Sequence, residues 1–353
     1  MVTVSGTDPR PRQFERLHQP DRARRAPHPR QSRRAPGVAI AGITALISGV
    51  SVAVNGIGVR HIASSAVYTT GKNAVAAVLL GVCAVAGAAL GRRAASGVPG
   101  AIARWTQPPP AVHGTGHRSR LGVAAGFAYV GVVGGGVAFL LFFDGLARSP
   151  AASAAFVHDT MVVWVAALAV PFLHERLRPA NLVAVALLVA GQVVIGGGFG
   201  ALAGVPGLLL VLAATVLWAV EVVVASTLLT TVSSAAVALV RMGGGTAVLL
   251  GSLAATGHLA DLARLTASQI GWLLLTGALL AGYVATWMAA LARARAVDVT
   301  SVLVASALVT AVLAPVTGGS IGAAAATGGV MMASGALLVV VAWPRAKARA
   351  GAP

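Results

Sequence analysis

Five ionisable side chains lie inside long apolar stretches of the sequence and are the first candidates for chemistry: Lys72, Asp144, Asp159, Glu221 and Arg241. An ionisable group is costly where hydrocarbon replaces water, so each marks a substrate or ion pathway by default. Glu221 lies roughly 21 Å into its predicted helix at ~1.5 Å per residue. We expect it to be protonated, paired or hydrated. A proton-coupling or ammonium-binding role and a fixed ion pair both remain open.

Lys72 and Arg241 occupy equivalent depths in two predicted helices. Long basic side chains can reach the interface while their stems stay in apolar surroundings. The alternatives are binding of a substrate carboxylate, or pairing with Glu221 or Asp159. Asp144 lies near the outer end of its predicted helix, and we expect it at the interface.

A polar stripe runs along the first predicted helix. Its members are Thr44, Ser48, Ser51 and Asn55. The spacing of four, three and four residues places all of them on one helix face. We expect this face to line a pathway for a small-molecule substrate. Hydrogen bonds to the helix's own backbone or to a neighbouring helix are the other interpretation.

His158 and Asp159 are neighbours on one predicted helix, so their side chains point about 100° apart. They cannot both address one point as a catalytic pair would, and we expect one to face a cavity and the other a neighbouring helix. Four further candidates are aromatic: Trp164, Trp218, Tyr283 and Trp287. Such rings grip an apolar or cationic substrate, or else serve helix packing and interfacial anchoring.

The elements that carry these residues are apolar helices. Hydrophobic residues make up 57% of the 353 residues and charged residues only 10%, against about 25% in soluble domains. Runs close to the ~20 residues that cross a bilayer recur along the chain. We predict helices at roughly 38–59, 66–90, 121–146, 151–173, 180–200, 205–229, 234–256, 270–292, 299–317 and 323–343. The predicted class is an all-α integral membrane protein with ten transmembrane helices.

The distribution of basic residues predicts a membrane orientation. With the N-terminus in the cytoplasm, 21 Lys and Arg residues fall on the cytoplasmic side and three on the outer side, as the positive-inside rule requires. The net charge of +17 therefore indicates a lipid bilayer and no nucleic-acid partner. Residues 1–36 are predicted to be a disordered basic cytoplasmic tail and 344–353 a second cytoplasmic tail. The predicted location is the inner (plasma) membrane of a bacterial cell.

The chain repeats itself. Gly37 to Asn55 matches Gly207 to Ala225 in hydrophobic pattern, and Lys72 takes the place of Arg241. Two five-helix repeats follow, at 37–200 and 201–343. Because five is odd, the second must be inverted relative to the first, an arrangement typical of secondary transporters. The repeat maps the polar stripe onto a face that includes Trp218 and Glu221, so both faces are expected to meet one central cavity.

The segment Phe172-Leu173-His174-Glu175-Arg176-Leu177 closes the fourth predicted helix and resembles a Gly-Glu-Arg-Leu helix ending. Two further features carry the same resemblance: Leu188 to Gly191 in the fifth predicted helix and Trp218 in the sixth. On these residues, positions 38 to 343 resemble the EamA-type drug/metabolite transporter superfamily. The chain departs from it where His174 replaces Gly and where Val316 to Gly319 stands in place of a second Glu motif. The resemblance implies ten helices and export, or occasionally uptake, of small metabolites without ATP.

The predicted function is therefore a secondary transporter that exports or exchanges a small metabolite, amino acid or drug by alternating access, with protons as one candidate coupling ion. No cofactor, metal site or enzymatic activity is predicted: Cys83 is the only cysteine, and no phosphate loop or zinc motif occurs. A polytopic membrane enzyme, such as a lipid or sugar transferase, and a non-transporting scaffold are the alternatives. Small-residue pairs leave both internal packing and a homodimer open.

Overall fold

The computed structural model describes residues 34–93, 105–107, 120–149, 157–175, 179–195, 206–313 and 322–341. In these residues all regular structure is helical, so the predicted all-α class is confirmed. The two predicted tails lie outside the described residues, apart from residues 34–36.

The helices begin and end close to the predicted bounds. They are α1 Arg34–Gly58, α2 Ser65–Arg93, α3 Arg120–Ala128, α4 Ala138–Ala147, α5 Met161–Leu173, α6 Pro179–Ile195, α7 Pro206–Leu228, α8 Ser234–Ala255, α9 Ala267–Leu291, α10 Ala296–Leu303, α11 Ser306–Leu313 and α12 Ala323–Val341. Six stretches are long and apolar enough to cross a membrane: Pro36–Asn55, Ser65–Ala89, Arg120–Gly145, Pro206–Leu228, Ser234–Ala255 and Ala267–Leu291. Shorter apolar helices include Val157–Leu173, Leu182–Gly191 and Ala296–Thr310. The count of ten spans stays a prediction.

Local sequence fixes several helix starts. Ser233 caps α8 by accepting the Ala236 N–H at 3.2 Å. Thr266 and Gln269 form a reciprocal capping box at the start of α9, which satisfies donors that the first turn leaves open. The predicted start of the eighth helix at 270 was therefore late, because the cap lies four residues earlier.

The predicted third helix is not uniform. A π-helical segment, Tyr129–Val137, connects α3 to α4 and contains four glycines. A Cβ atom added to Gly135 would overlap the Arg241 carbonyl oxygen, and one on Gly131 would lie 3.0 Å from the Val240 carbonyl oxygen. The glycines therefore let this wide turn approach the backbone of α8.

The predicted ninth helix is broken between α10 and α11 at Val304 and Ala305. The Thr300 hydroxyl donates to the Ala296 carbonyl at 2.9 Å, and such back-bonding bends helices. Beyond it the backbone tightens, because the Ala305 N–H donates to Val302 rather than to Ser301.

Helices that the sequence assigns to the two predicted repeats pack against each other in matching pairs. Helix α1 packs on α9, and its counterpart α7 packs on α4 and the π segment; α2 packs on α9, and its counterpart α8 on the π segment. Helix α5 contacts α7, while α10 and α11 contact α1. Elements of both halves therefore meet along the faces of α1 and α7.

Candidate functional site

A cavity of about 220 Å³ is lined by residues of both predicted halves. Its wall comes from α1, α4, α5, α7, α8, α9, α10 and α11 together with the turn before α5. The lining residues are Ser48, Ser51, Val52, Phe139, His158, Asp159, Met161, Val162, Trp218, Arg241, Leu280, Tyr283, Trp287, Thr300, Leu303, Val304 and Ser306. Hydroxyl, aromatic and charged groups thus share one small space, which suits a small organic solute.

Glu221 and Arg241 form a buried ion pair beside this cavity. Arg241 Nε donates to Glu221 Oε1 at 2.5 Å, and Nη2 donates to Oε2 at 3.3 Å. Both side chains are almost completely buried. Because Arg241 lines the cavity and Glu221 does not, the carboxylate offsets the arginine charge from behind the wall. The sequence left a proton-coupling or ammonium-binding role and a fixed ion pair open for Glu221, and in the structure Glu221 forms an ion pair with Arg241.

Aromatic rings hold the arginine. The Arg241 guanidinium carbon lies 5.2 Å from the Trp287 ring centroid and 5.5 Å from that of Phe139. Tyr283 packs on Trp287 with 5.5 Å between ring centroids. The two contacts of Arg241 are cation–π interactions, which are stronger where the cation is desolvated. The arginine therefore contacts Trp287, a ring for which the sequence left both substrate binding and helix packing open.

Trp218 connects the cavity to the π segment. Its Nε1 donates to the Gly134 carbonyl at 2.9 Å, and a Cβ atom added to Gly134 would overlap the Glu221 side chain. The His158 ring stands edge-on to Trp218, with centroids 5.1 Å apart, and also contacts Phe142. Trp218 thus serves both helix packing and the cavity wall.

Lys72 lies outside the cavity lining and is buried. Its Nζ donates to Asn55 Oδ1 at 3.2 Å, and Tyr68 donates to the same oxygen at 2.6 Å. The ammonium also lies 5.3 Å from the Phe143 ring centroid. Among the described side chains it has no carboxylate partner, unlike Arg241, its counterpart in the repeat.

The structure brings eight of the thirteen predicted site residues to the cavity: Ser48, Ser51, His158, Asp159, Trp218, Arg241, Tyr283 and Trp287. Both His158 and Asp159 line it, whereas the sequence predicted only one. Five lie elsewhere: Thr44, Asn55, Lys72, Trp164 and Glu221. Thr44 donates to its own backbone at Ile40, 2.9 Å away, as one interpretation held. Trp164 is 38% exposed on the outside of the helices.

Sequence reasoning missed the contribution of α10 and α11, from which Thr300, Leu303 and Ser306 line the cavity. A signal was present. An offset of 144 residues relates Pro171 to Pro315, and the same offset maps Asp159 onto Leu303 and Val162 onto Ser306. All four of these mapped residues line the cavity. Carrying the repeat through the fourth helix would have found them.

A second cluster joins the halves near the C-terminal end of α5. Glu175 Oε1 accepts the Ala296 N–H at 2.9 Å and Oε2 accepts that of Val297 at 3.4 Å. Arg295 donates through Nε and Nη2 to Asp298 at 2.8 and 2.5 Å. Burial raises the pKa of Glu175, while the two N–H donors and Arg295 act in the opposite direction. The first turn of α10 is therefore capped by a carboxylate from the other half.

Comparisons with known proteins agree with this architecture. Residues 35–197 match the model of the EamA-like transporter family. A solved crystal structure resembles the chain with a TM-score of 0.63 at 19% identity, covering 88% of this chain and 99% of that one; this likeness concerns the fold alone. No curated protein matches the chain.

Proposed function

The chain belongs, through residues 35–197, to the EamA-like transporter family of the drug/metabolite transporter superfamily, and on that premise we propose that it moves a small metabolite, amino acid or drug by alternating access. It is a multi-pass membrane protein. The observation that carries the proposal is the cavity of about 220 Å³ whose wall both halves supply. A site between two repeats is where alternating access requires the substrate to bind.

A contact between the two predicted halves, at one end of α5, supports this mechanism. Glu175 and the first turn of α10 join the halves at the C-terminal end of α5, whereas Asp159, at the start of the same helical stretch, lines the cavity. Fourteen residues separate Leu173 from Asp159, or roughly 21 Å of helix at ~1.5 Å per residue. A contact between halves at that distance acts as a closure on one side of the site. Alternating access requires such a contact to break when the site opens there.

The packing of helices in matching pairs supports inverted repeats. Helix α1 packs on α9, and α7, its counterpart in the predicted repeat, packs on α4 and the π segment. Equivalent helices of the two halves therefore make equivalent contacts, as an inverted repeat requires. With 21 basic residues on one predicted side and three on the other, both termini belong in the cytoplasm of the bacterial cell. Reporter fusions at the two ends test this: signals from opposite compartments would contradict inverted five-helix repeats.

Counterflow in liposomes tests transport itself. Purified protein is reconstituted and loaded with each of a panel of amino acids, nucleosides and cationic drugs, and uptake of the labelled compound is followed. We expect saturable counterflow of at least one compound. Ser48→Phe, which fills the cavity, should abolish it. Leu46→Phe is the matched control, because Leu46 lies two residues away on α1 and is 58% exposed.

Wild-type protein that gives no counterflow across the panel would contradict the proposal. Chemical conversion of a panel compound by the reconstituted protein would instead favour a membrane enzyme. Equal loss of counterflow in Ser48→Phe and Leu46→Phe would show that the central cavity is not the transport site.

A further inference from the structure

The cavity wall beside Arg241 carries a hydrogen-bond donor that the described chain does not use. Trp287 lines the cavity and is 2% exposed. Its Nε1 nitrogen has no hydrogen-bond partner, although an indole N–H is a donor that burial makes costly to leave unpaired. Trp218, on the same cavity, has such a partner in Gly134. An unused donor at a cavity wall is a place for a ligand acceptor.

Arg241 supplies a second donor next to the first. Its Nε and Nη2 are engaged by Glu221, but the contact of Nη1 is the Met242 sulfur at 3.7 Å. A thioether is a weak acceptor. The guanidinium carbon lies 5.2 Å from the Trp287 ring centroid, so the two side chains that carry these donors are in contact.

A second buried cation, Lys72, lies outside the cavity lining, and Asp159 places a carboxylate in that lining. Glu221 offsets Arg241, whereas among the described side chains the hydrogen-bond acceptor of Lys72 is the neutral Asn55 oxygen. A stack of two phenylalanines connects the two cations: Phe143 lies under Lys72 and Phe139 under Arg241, with parallel rings 6.3 Å apart. Little water can screen the field of Lys72 across such apolar rings.

We propose that Trp287 Nε1 and Arg241 Nη1 receive the carboxylate of the transported solute, and that Lys72 supplies the positive charge that favours a carboxylate over its neutral analogues. A carboxylate has two oxygens and accepts two N–H donors side by side. Asp159 and His158 also line the cavity. This inference rests on the proposed transport function and names its substrate class.

Matched pairs of acids and amides test the inference. Indole-3-acetate is compared with indole-3-acetamide, and hexanoate with hexanamide, by titration calorimetry on the detergent-solubilised full-length protein. We expect the wild type to prefer each acid by about tenfold or more, the value of one charge-assisted hydrogen bond. Trp287→Phe keeps the ring over Arg241 but removes the N–H, so it should lose about tenfold in acid affinity and less in amide affinity, because a neutral carbonyl accepts a weaker hydrogen bond than a carboxylate.

Two further variants complete the test. Trp272→Phe is the matched control, because Trp272 stacks on His61 with centroids 4.9 Å apart and does not line the cavity; both affinities should stay as in the wild type. Lys72→Gln should lower the preference for the acid while retaining amide binding, and it tests the inference independently if Trp287→Phe does not fold.

Several results would overturn the inference. They are equal wild-type affinities for acid and amide, no binding of either acid, or an unchanged acid preference in a folded Trp287→Phe or Lys72→Gln protein. Counterflow of a solute without a carboxylate would overturn it while leaving the transport function in place. Absence of all counterflow, with acid binding retained, would contradict the transport function alone.

Discussion

Glu175 reaches across the halves of the chain to Ala296, whose N–H donates to the Glu175 carboxylate at 2.9 Å. The adjacent N–H of Val297 donates to the second carboxylate oxygen, so one side chain satisfies two donors of the first turn of α10. The repeat places Gly319 at the position equivalent to Glu175. The predicted repeat therefore supplies an acidic residue at this position in the first half and not in the second.

Removal of the cap should destabilise the protein. Glu175→Ala leaves two N–H groups at the start of α10 without an acceptor, and we expect a loss of about 1–2 kcal/mol. Glu175→Gln keeps an oxygen acceptor and should stay within about 1 kcal/mol of the wild type. Thermal unfolding in one detergent measures both. Equal melting temperatures for Glu175→Ala and the wild type would show that the cap contributes nothing.

The same residue predicts a pH dependence. Burial raises the pKa of Glu175 above its ordinary value of 4.5, and its N–H donors oppose this. The folded protein therefore holds the proton more tightly than the unfolded chain. The contribution of Glu175 to the free energy of unfolding is greatest below pH 4.5 and falls as the pH rises through the folded pKa. The difference in melting temperature between wild type and Glu175→Gln should follow this slope; a difference that is constant with pH would contradict it.

The buried pair of Glu221 and Arg241 predicts a larger effect. Glu221→Gln leaves the guanidinium buried without its carboxylate, and breaking such a pair costs about 3–5 kcal/mol. The double variant Glu221→Met with Arg241→Met removes both charges and should recover much of this loss. Melting temperatures of the single and double variants measure the coupling. Single variants as stable as the wild type would show that the pair is not a structural element.

Transport by Glu221→Gln separates structure from coupling. If Glu221 takes part in proton coupling, the variant should lose the pH dependence of counterflow as well as stability. Undiminished and still pH-dependent counterflow would remove Glu221 from the coupling mechanism.

The glycines of the π segment are predicted to be intolerant of side chains. A methyl group at Gly135 would overlap the Arg241 carbonyl oxygen on α8, which is backbone and cannot turn away. We expect Gly135→Ala to prevent folding to a monodisperse protein. Gly243→Ala is the matched control, because nothing lies within 4 Å of a Cβ atom there. It should fold normally and gain up to about 1 kcal/mol of helix propensity. Equal behaviour of the two variants in size-exclusion chromatography would contradict the close packing.

Sequence periodicity predicted the helices well because each apolar run carries its own signal of length and composition. It did not predict the π segment at Tyr129–Val137 or the break after Leu303. The glycines of the π segment pack on the backbone of α8, which is remote in sequence, and the broken helix combines the local Thr300 hydrogen bond with packing of α10 and α11 on α1. Tertiary packing decides such local geometry.

Prediction of the site was limited in the same way. Spacing placed Ser48 and Ser51 on one face, and the cavity includes both. Spacing could not show that Arg241 pairs with Glu221 while Lys72 donates to the Asn55 amide oxygen, because the sequence left both Glu221 and Asp159 open as partners of the two cations. Which charge is compensated depends on how α7 and α8 are rotated, and that rotation follows from the glycine contacts.

The two buried cations differ in their partners, since Arg241 pairs with a carboxylate and Lys72 donates to an amide oxygen. Asn55→Asp places a carboxylate at the oxygen that now lies 3.2 Å from Lys72 Nζ, which gives Lys72 the kind of partner that Arg241 already has. Asn55→Ala instead leaves both the ammonium and the Tyr68 hydroxyl without this acceptor. We expect Asn55→Asp to retain or raise the melting temperature and Asn55→Ala to lower the free energy of unfolding by about 1–3 kcal/mol. If Lys72 supplies the field that favours a carboxylate, Asn55→Asp should also reduce the acid-over-amide preference in calorimetry, although Asn55 does not line the cavity. A stable Asn55→Asp protein with an unchanged preference would show that Lys72 is a structural residue.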